Sequence, residues 1–298
     1  MTTIRLNDGR TLAYEDVGDP AGTPVLFAHG FGDSRLTRHP DDSIAERAGV
    51  RLLTLDRPGI GGSDPKPAKA AAERADDLGE LADALGIDRF AVLAWSGGTP
   101  TGLACGARFP ERVTAVGVAA GFAPFDREGA YEGLNKTMAK GLPGIRKAPW
   151  LARPFMRQAA RGYAKDPEKA FEKQFGEDMT APDRAVMAEP GVRENILAGA
   201  VEAHRPGGRG MALDMQLLFA RYWGFEAEDV KVPVKLWFGD ADDITPPQMG
   251  RYLAERLPDA ELTVYPGEAH MLVLTHWEEI LRSLAASVGA EQQGAGAG

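Results

Sequence analysis

The strongest constraint on the fold is a series of short apolar segments, separated by stretches long enough to form helices. The segments are residues 25–28, 51–55, 90–95, 113–119, 234–238 and 262–265. Each has the length of a buried strand, and the intervening residues 68–85, 100–109 and 247–257 are rich in the helix formers Ala, Leu, Glu and Arg. Strand alternating with helix predicts βαβ units, and therefore an α/β fold with a mostly parallel, doubly wound sheet.

One long interval interrupts this alternation. Residues 119–234 include helical pieces and several prolines but no strand-like segment, and the interval is too long for an ordinary crossover. We therefore expect one α/β domain formed by residues 1–121 and 229–288, with a mainly helical cap inserted at residues 122–228. The Gly-, Ala- and Gln-rich residues 289–298 are expected to form a flexible tail.

Charge and cysteine content argue against several classes of protein. The chain carries 43 acidic and 34 basic side chains, a net charge of −9, whereas nucleic-acid binding needs a basic surface. It has one cysteine, Cys105, and therefore no internal disulfide. The first residues lack the basic and apolar regions of a secretion signal, and no apolar run approaches the ~18 residues of a membrane span. We expect a cytoplasmic protein with neither nucleic acid nor a membrane as partner; the sequence does not indicate an oligomeric state.

A serine directly follows the strand predicted at residues 90–95. Ser96 is followed by Gly97 and Gly98 and then by a helix, and this strand–turn–helix arrangement is typical of a nucleophile elbow. The elbow holds the serine in a strained backbone conformation, so its close neighbours must be small. Ala94 and Gly98 meet this requirement, although Ala94 departs from the glycine that is usual at its position.

A histidine and a group of aspartates follow the last two predicted strands. His270 comes after the last strand, and Asp240, Asp242 and Asp243 come after the strand before it. The chain order Ser, Asp, His is that of catalytic triads built on an α/β sheet, in which histidine takes the serine proton and the acid orients histidine. Because the segments are independent of one another, their agreement predicts a triad. The strand position alone leaves the choice among the three aspartates open.

In these segments the chain resembles the α/β-hydrolase superfamily, in particular its small capped members that act as serine esterases and lactonases. The matching pieces are His29-Gly30-Phe31-Gly32, Asp56-Arg57-Pro58-Gly59-Ile60-Gly61-Gly62-Ser63-Asp64, Ala94-Trp95-Ser96-Gly97-Gly98, Gly239-Asp240-Ala241-Asp242 and Gly267-Glu268-Ala269-His270. They are spread along the predicted α/β domain, whereas no motif covers the predicted cap.

The resemblance implies a role for each residue of the triad. Ser96 is the nucleophile and His270 is its base. The family's acid usually stands three residues after the glycine that ends its strand, which corresponds to Asp242 here. Asp240 and Asp243 remain alternatives, because three carboxylates lie close together in the sequence.

The resemblance also implies where the substrate is bound. The backbone N–H groups of Phe31 and Gly97 form the oxyanion hole in this interpretation. Trp95, next to the nucleophile, is expected to contact the substrate. Apolar residues at 211–225 have near-helical spacing, so we expect them to close the cap over the site, with Leu218 and Trp223 in the substrate pocket.

The implied function is hydrolysis of a carboxylic ester or lactone through an acyl-enzyme, with a small-molecule substrate and no cofactor. A calcium loop at the aspartates is disfavoured, since Thr245 stands where that loop needs Gly and Arg251 where it needs Glu. Haloalkane dehalogenases and epoxide hydrolases of this fold use Asp where this chain has Ser96. Alternatives with the same triad are a carbon–carbon bond hydrolase, an aminopeptidase, a perhydrolase, or a ligand-binding receptor that retains the triad.

Overall fold

The computed structural model describes residues 1–176 and 179–294. Within them lies one eight-stranded sheet. Its strands are β1 Thr2–Arg5, β2 Thr11–Gly18, β3 Thr23–Ala28, β4 Val50–Leu55, β5 Phe90–Trp95, β6 Val113–Ala119, β7 Val234–Gly239 and β8 Ala260–Tyr265. Their order across the sheet is β1-β2-β4-β3-β5-β6-β7-β8, with β1 and β2 antiparallel to their neighbours and the other pairs parallel. The predicted α/β fold with a mostly parallel, doubly wound sheet is confirmed, and the six predicted strands correspond to β3–β8.

Helices cover both faces of the sheet. In the described residues they are α1 Ser43–Arg47, α2 Ala75–Ala84, α3 Thr99–Arg108, α4 Lys136–Lys147, α5 Ala152–Lys165, α6 Pro167–Phe171, α7 Ala181–Met187, α8 Val192–His204, α9 Arg209–Phe219, α10 Pro247–Arg256, α11 Leu272–Thr275 and α12 Trp277–Gly294. Helices α4–α9 lie between β6 and β7, where the described residues include no strand. The division of the chain into a domain and a cap stays a prediction. None of the described helices has the length and apolar character that crossing a bilayer requires.

The central strands are apolar along their whole length because both of their faces are buried. In β5, Phe90 and Val92 belong to the core under α2, α3 and α10, whereas Leu93 and Trp95 belong to the core under α1 and α12. Cys105 of α3 is fully buried in the first of these cores. Burial raises the pKa of its thiol.

The bounds of two helices differ from the sequence pattern. The near-helical spacing at residues 211–225 continues past the end of α9 at Phe219, and Gly224 has a φ of 96° that no helix contains. At the C-terminal end, α12 continues to Gly294, inside the segment predicted to be a tail. Residues 295–298 of that segment lie outside the described residues.

Candidate active site

The turn between β5 and α3 holds Ser96 at the carboxyl edge of the sheet. Its φ is 52°, a left-handed conformation that residues with a side chain rarely adopt. A Cβ added to Gly98 would collide with the carbonyl oxygen of Ala28, so the turn requires glycine there. The strain at Ser96 is therefore maintained by close packing of the turn against the end of β3.

The departure at Ala94 is accommodated by a glycine on the helix that faces it. A Cβ added to Gly102 of α3 would lie 2.7 Å from the Cβ of Ala94, closer than two methyl groups can approach. Because Gly102 has no side chain, α3 packs against β5 although alanine replaces the usual glycine on the strand. Ala94 on the strand and Gly102 on the helix together meet the requirement for small residues near the nucleophile.

Three side chains from separate turns are joined by hydrogen bonds at this edge. Nε2 of His270 lies 2.9 Å from Oγ of Ser96, and Nδ1 of His270 lies 3.0 Å from Oδ2 of Asp242. Trp95 supports the histidine, since its indole N–H donates to the backbone carbonyl of His270 at 3.2 Å. The structure thus brings Ser96, His270 and Asp242 together in the order that removal of the serine proton requires.

Among the three candidate aspartates, Asp242 has a carboxylate that contacts the histidine ring. The same carboxylate is buried and accepts two backbone N–H groups, of Ile244 at 2.8 Å and Thr245 at 2.9 Å. Asp240 is exposed, and its side chain accepts the backbone N–H of Gly267 at 2.7 Å. Through its backbone carbonyl, Asp243 accepts a hydrogen bond from the residue before α4.

These contacts shift the pKa values of the pair in opposite directions. Burial alone would raise the pKa of Asp242, but His270 and the N–H and hydroxyl donors of Thr245 lower it. Burial alone would lower the pKa of His270, but Asp242 raises it by charge and hydrogen bond, with contributions from Asp183 and Asp33. The site therefore stabilises a histidinium beside an ionised aspartate, which is the state formed when histidine accepts the serine proton.

The loop after β3 lies against the residue that follows Ser96. A Cβ added to Gly97 would be 2.7 Å from the backbone nitrogen of Phe31, so the two residues predicted to form the oxyanion hole are neighbours. Arg57 donates to the carbonyl oxygens of the two residues before Phe31, at 2.9 Å in the case of Gly30. With these carbonyl oxygens held by a buried guanidinium, the orientation of the loop backbone is fixed.

A buried ionic network connects this loop to α9. Asp214 of α9 accepts a hydrogen bond from Arg57 at 2.7 Å and also pairs with Arg74. All three side chains are buried, and burial lowers the pKa of Arg57 to about 10 and that of Arg74 to about 9. The position of the loop beside Ser96 therefore depends on a carboxylate supplied by the segment between β6 and β7.

A small cavity opens beside the serine. Its lining residues are Phe31, Asp33, Trp95, Ser96, Phe175, Ile196, His270 and Met271. Most of this lining is apolar, which suits a small organic ligand. Elsewhere in the described part of the chain, no group of three or more His, Cys, Asp or Glu side chains is arranged to hold a metal ion.

The residues expected to bind substrate are only partly brought together. Trp95 lines the cavity, whereas Trp223 lines a separate one, and its indole N–H donates to the backbone carbonyl of Leu218 at 3.2 Å. The placement of Trp223 beside the serine is therefore corrected, because α9 ends at Phe219 and Trp223 lies beyond that end. Leu218 is not among the residues that line the cavity, and its contact with substrate stays a prediction. The aromatic residue of α9 nearest the site is Phe219, whose ring centroid lies 5.7 Å from that of Phe31.

Three residues at the site are absent from the sequence-based predictions. Thr245 donates its hydroxyl to Asp242 at 2.6 Å, and Asp33 lines the cavity. Asp183 of α7 accepts the backbone N–H of Met271, next to the histidine, at 2.8 Å. That contact joins residues 88 positions apart, so no local pattern marks it.

Comparisons with known proteins identify the family and the fold of the chain. The sequence profile of the family described as alpha/beta hydrolase fold matches residues 23–276. Pimeloyl-[acyl-carrier protein] methyl ester esterase of Neisseria meningitidis serogroup B is 31% identical over 261 residues, which cover 85% of this chain and 88% of that protein. An enol-lactonase from Burkholderia xenovorans superposes with a TM-score of 0.68 at 19% identity, covering 97% of this chain and 100% of that one. An esterase from Exiguobacterium antarcticum superposes with a TM-score of 0.69 at 20% identity, covering 97% of this chain and 99% of that one. At such identities the structural likeness concerns the fold.

Proposed function

The chain is a hydrolase of the α/β-hydrolase family, and from this premise we propose that it cleaves a carboxylic ester or lactone with Ser96, His270 and Asp242. The observation that carries the proposal is the continuous path of hydrogen bonds from Oγ of Ser96 through the histidine ring to Asp242. A serine hydroxyl is a weak nucleophile until a neighbouring base accepts its proton, and this path supplies that base.

In the first half of the reaction, Oγ of Ser96 attacks the carbonyl carbon while its proton moves to Nε2 of His270. The hydrogen bond from Nδ1 to Asp242 holds the ring in the tautomer that leaves Nε2 free to accept. Asp242 also stabilises the resulting imidazolium. The alcohol leaves with the proton returned by His270, and an acyl-enzyme on Ser96 remains.

In the second half, water attacks the acyl carbon and gives a proton to Nε2 of His270, which passes it to Oγ of Ser96 as the bond between Oγ and the acyl group breaks and the acid leaves. Each attack places negative charge on the carbonyl oxygen. The N–H groups of Phe31 and Gly97 are the donors we assign to that oxygen, supported by their proximity and by the fixed loop backbone beside them. In a buried site such preorganised donors stabilise the transition state more than water does.

The helices between β6 and β7 form the cap in this proposal, within residues 122–228. Asp183 of α7 bonds the turn that carries His270, and Phe219 of α9 packs on Phe31. Phe175 and Ile196, from the same segment, line the cavity. Enclosure by these residues supports reaction in a site largely shielded from water.

An ester is the substrate class that the comparisons support best. The relative from Neisseria meningitidis is named for cleaving a methyl ester, and it resembles this chain over most of both proteins. The small cavity and its apolar lining favour a compact acyl group. Carbon–carbon bond hydrolase, perhydrolase and receptor remain the competing interpretations, since each can be built on the same three side chains.

The test combines a fluorophosphonate probe with short-chain p-nitrophenyl esters. We expect the parent protein to be labelled and to hydrolyse the esters. Ser96→Ala abolishes labelling, and Ser96→Ala and His270→Ala each lower turnover by about 10⁴-fold or more. Ser43→Ala, which changes an exposed serine, is the matched control and leaves both signals intact.

Each alternative result has a distinct meaning. Folded parent protein that binds esters but neither turns them over nor reacts with the probe contradicts the hydrolase proposal and favours the receptor interpretation. Labelling at Ser96 without ester turnover directs the search to carbon–carbon or peracid chemistry. Turnover that survives in Ser96→Ala contradicts the assignment of the nucleophile.

A further inference from the structure

One carboxyl group beside Ser96 has no part in the proposed reaction. Asp33 is 6% exposed and lines the same cavity as Ser96 and His270. A methyl group added to Gly30 would lie 2.6 Å from Oδ2 of Asp33 and 3.5 Å from Cβ of Ser96. The carboxylate and the nucleophile are therefore neighbours on either side of Gly30.

No cation of the described residues forms an ion pair with this carboxylate. Arg57 acts on it through space, but that guanidinium is bonded to Asp214 and to backbone carbonyl oxygens. The hydroxyl of Thr37 is a hydrogen-bond donor to Asp33, while His270 and the phenol of Tyr163 interact with it through charge. Burial raises the pKa of Asp33 to about 7, since these groups compensate its charge only in part.

The remaining walls of the cavity do not supply a cation. They are formed by the apolar side chains of Phe31, Trp95, Phe175, Ile196 and Met271. A buried carboxylate with apolar neighbours is costly unless a partner neutralises it or donates hydrogen bonds. The complementary ligand is an apolar molecule that carries one positively charged N–H donor.

We propose that Asp33 binds a protonated amine of the substrate, located a few bonds from the carbonyl that Ser96 attacks. The inference rests on the proposed hydrolase function and narrows its substrate to esters or amides of amino acids and similar aminoacyl compounds. Asp33 lies in the loop after β3 that also contains Phe31, here called the oxyanion loop, so the group that binds the amine does not come from a cap helix. A charge-assisted hydrogen bond at this point also fixes the carbonyl relative to Ser96.

The kinetic test compares two esters that differ by one amino group, phenylalanine methyl ester and methyl 3-phenylpropanoate. At about pH 7, near the pKa of Asp33, ionised carboxylate and protonated amine are both present, and we expect kcat/KM to favour the amino ester by about tenfold to a hundredfold. Asp33→Asn keeps the size of the side chain but removes its charge, so the ratio falls toward one. Asp88→Asn makes the same change at an exposed position and keeps the ratio. Equal rates for the two esters in the parent, or a ratio unaffected by Asp33→Asn, overturn the proposal.

A binding measurement separates this proposal from the assignment of the reaction. Ser96→Ala cannot form the acyl-enzyme, so calorimetry on that variant reports the affinity for each ester without turnover and without altering Asp33. Tighter binding of the amino ester by Ser96→Ala, together with a parent protein that hydrolyses neither compound, supports the amine site and contradicts the hydrolase proposal. Ser96-dependent hydrolysis with no preference in rate or affinity supports the hydrolase and overturns the amine site.

Discussion

His270 faces three carboxyl groups that approach it from different parts of the chain. Asp242, after β7, contacts its Nδ1, while Asp183 of α7 and Asp33 of the loop after β3 act on it through space. Together they overcome the effect of burial and raise the pKa of the imidazole. Because the base must be neutral to accept the serine proton, these carboxylates determine the pH at which the proposed enzyme becomes active.

We expect kcat/KM for a neutral ester to increase with pH as His270 loses its proton, with a midpoint above the ordinary histidine value of 6.5. Asp183→Asn removes a charge that stabilises the protonated ring, so the pKa of His270 falls and the acidic limb moves to lower pH. The amide still accepts the backbone N–H of Met271, which separates the electrostatic effect from a structural one.

The measurement is the pH profile of kcat/KM for the parent, Asp183→Asn and the exposed control Asp88→Asn. The control has the parent's acidic limb. If the acidic limb of the Asp183→Asn profile lies at the same pH as that of the parent, or at higher pH, the charge of Asp183 does not raise the pKa of His270.

Helix α9 is held in place by charge as well as by apolar packing. Its last residue, Phe219, packs against Phe31, while Asp214 pairs with two buried arginines. One of them, Arg57, also bonds the oxyanion loop. Loss of this single carboxylate therefore leaves two buried cations without their partner and releases the loop from the helix.

We expect Asp214→Asn to lower the free energy of unfolding by about 3–5 kcal/mol, because breaking a buried pair leaves its charges uncompensated. The matched control is Asp16→Asn, whose partner Arg51 is bonded at 2.7 Å but lies at the surface. There the loss is less than about 1 kcal/mol. Urea unfolding of both variants measures the difference, and similar small losses at the two positions would show that the buried network does not hold α9.

At the scale of the whole molecule, the helices between β6 and β7 form polar contacts with the rest of the molecule at three separate places. Asp214 pairs with Arg57, Glu202 of α8 with Arg35 at 2.6 Å, and Asp183 bonds the turn after β8. Each contact joins residues far apart in sequence. Helices connected in this way cannot detach without breaking two ion pairs and a hydrogen bond with the rest of the molecule.

We therefore expect the chain to unfold in one cooperative transition. Far-UV circular dichroism, which follows all helices and strands, and labelling by the fluorophosphonate probe, which requires an assembled site, have the same midpoint in urea. Labelling lost well before the dichroism signal would mean that the helices between β6 and β7 detach first.

The sheet could be predicted from the sequence because most of its parallel strands are apolar runs, a signal contained within a few residues. Ser96 could be placed at its edge because it directly follows β5, and His270 because it lies in the turn after β8. The position of Trp223 could not be predicted, because apolar spacing does not show where a helix ends. Asp33 and Asp183 act through contacts with distant residues, and nothing next to them in the sequence indicates those contacts.

The buried thiol of Cys105 reports how often the fold opens. It lies on α3, a few turns beyond Ser96, in a core that no reagent enters while the fold is closed. Alkylation of this thiol requires the core around α3 to open, so with reagent in large excess its rate equals the rate of opening. The two covalent labels thus answer different questions: the label on Ser96, in the turn before α3, counts molecules with an assembled site, and the label on Cys105 measures how often the fold opens.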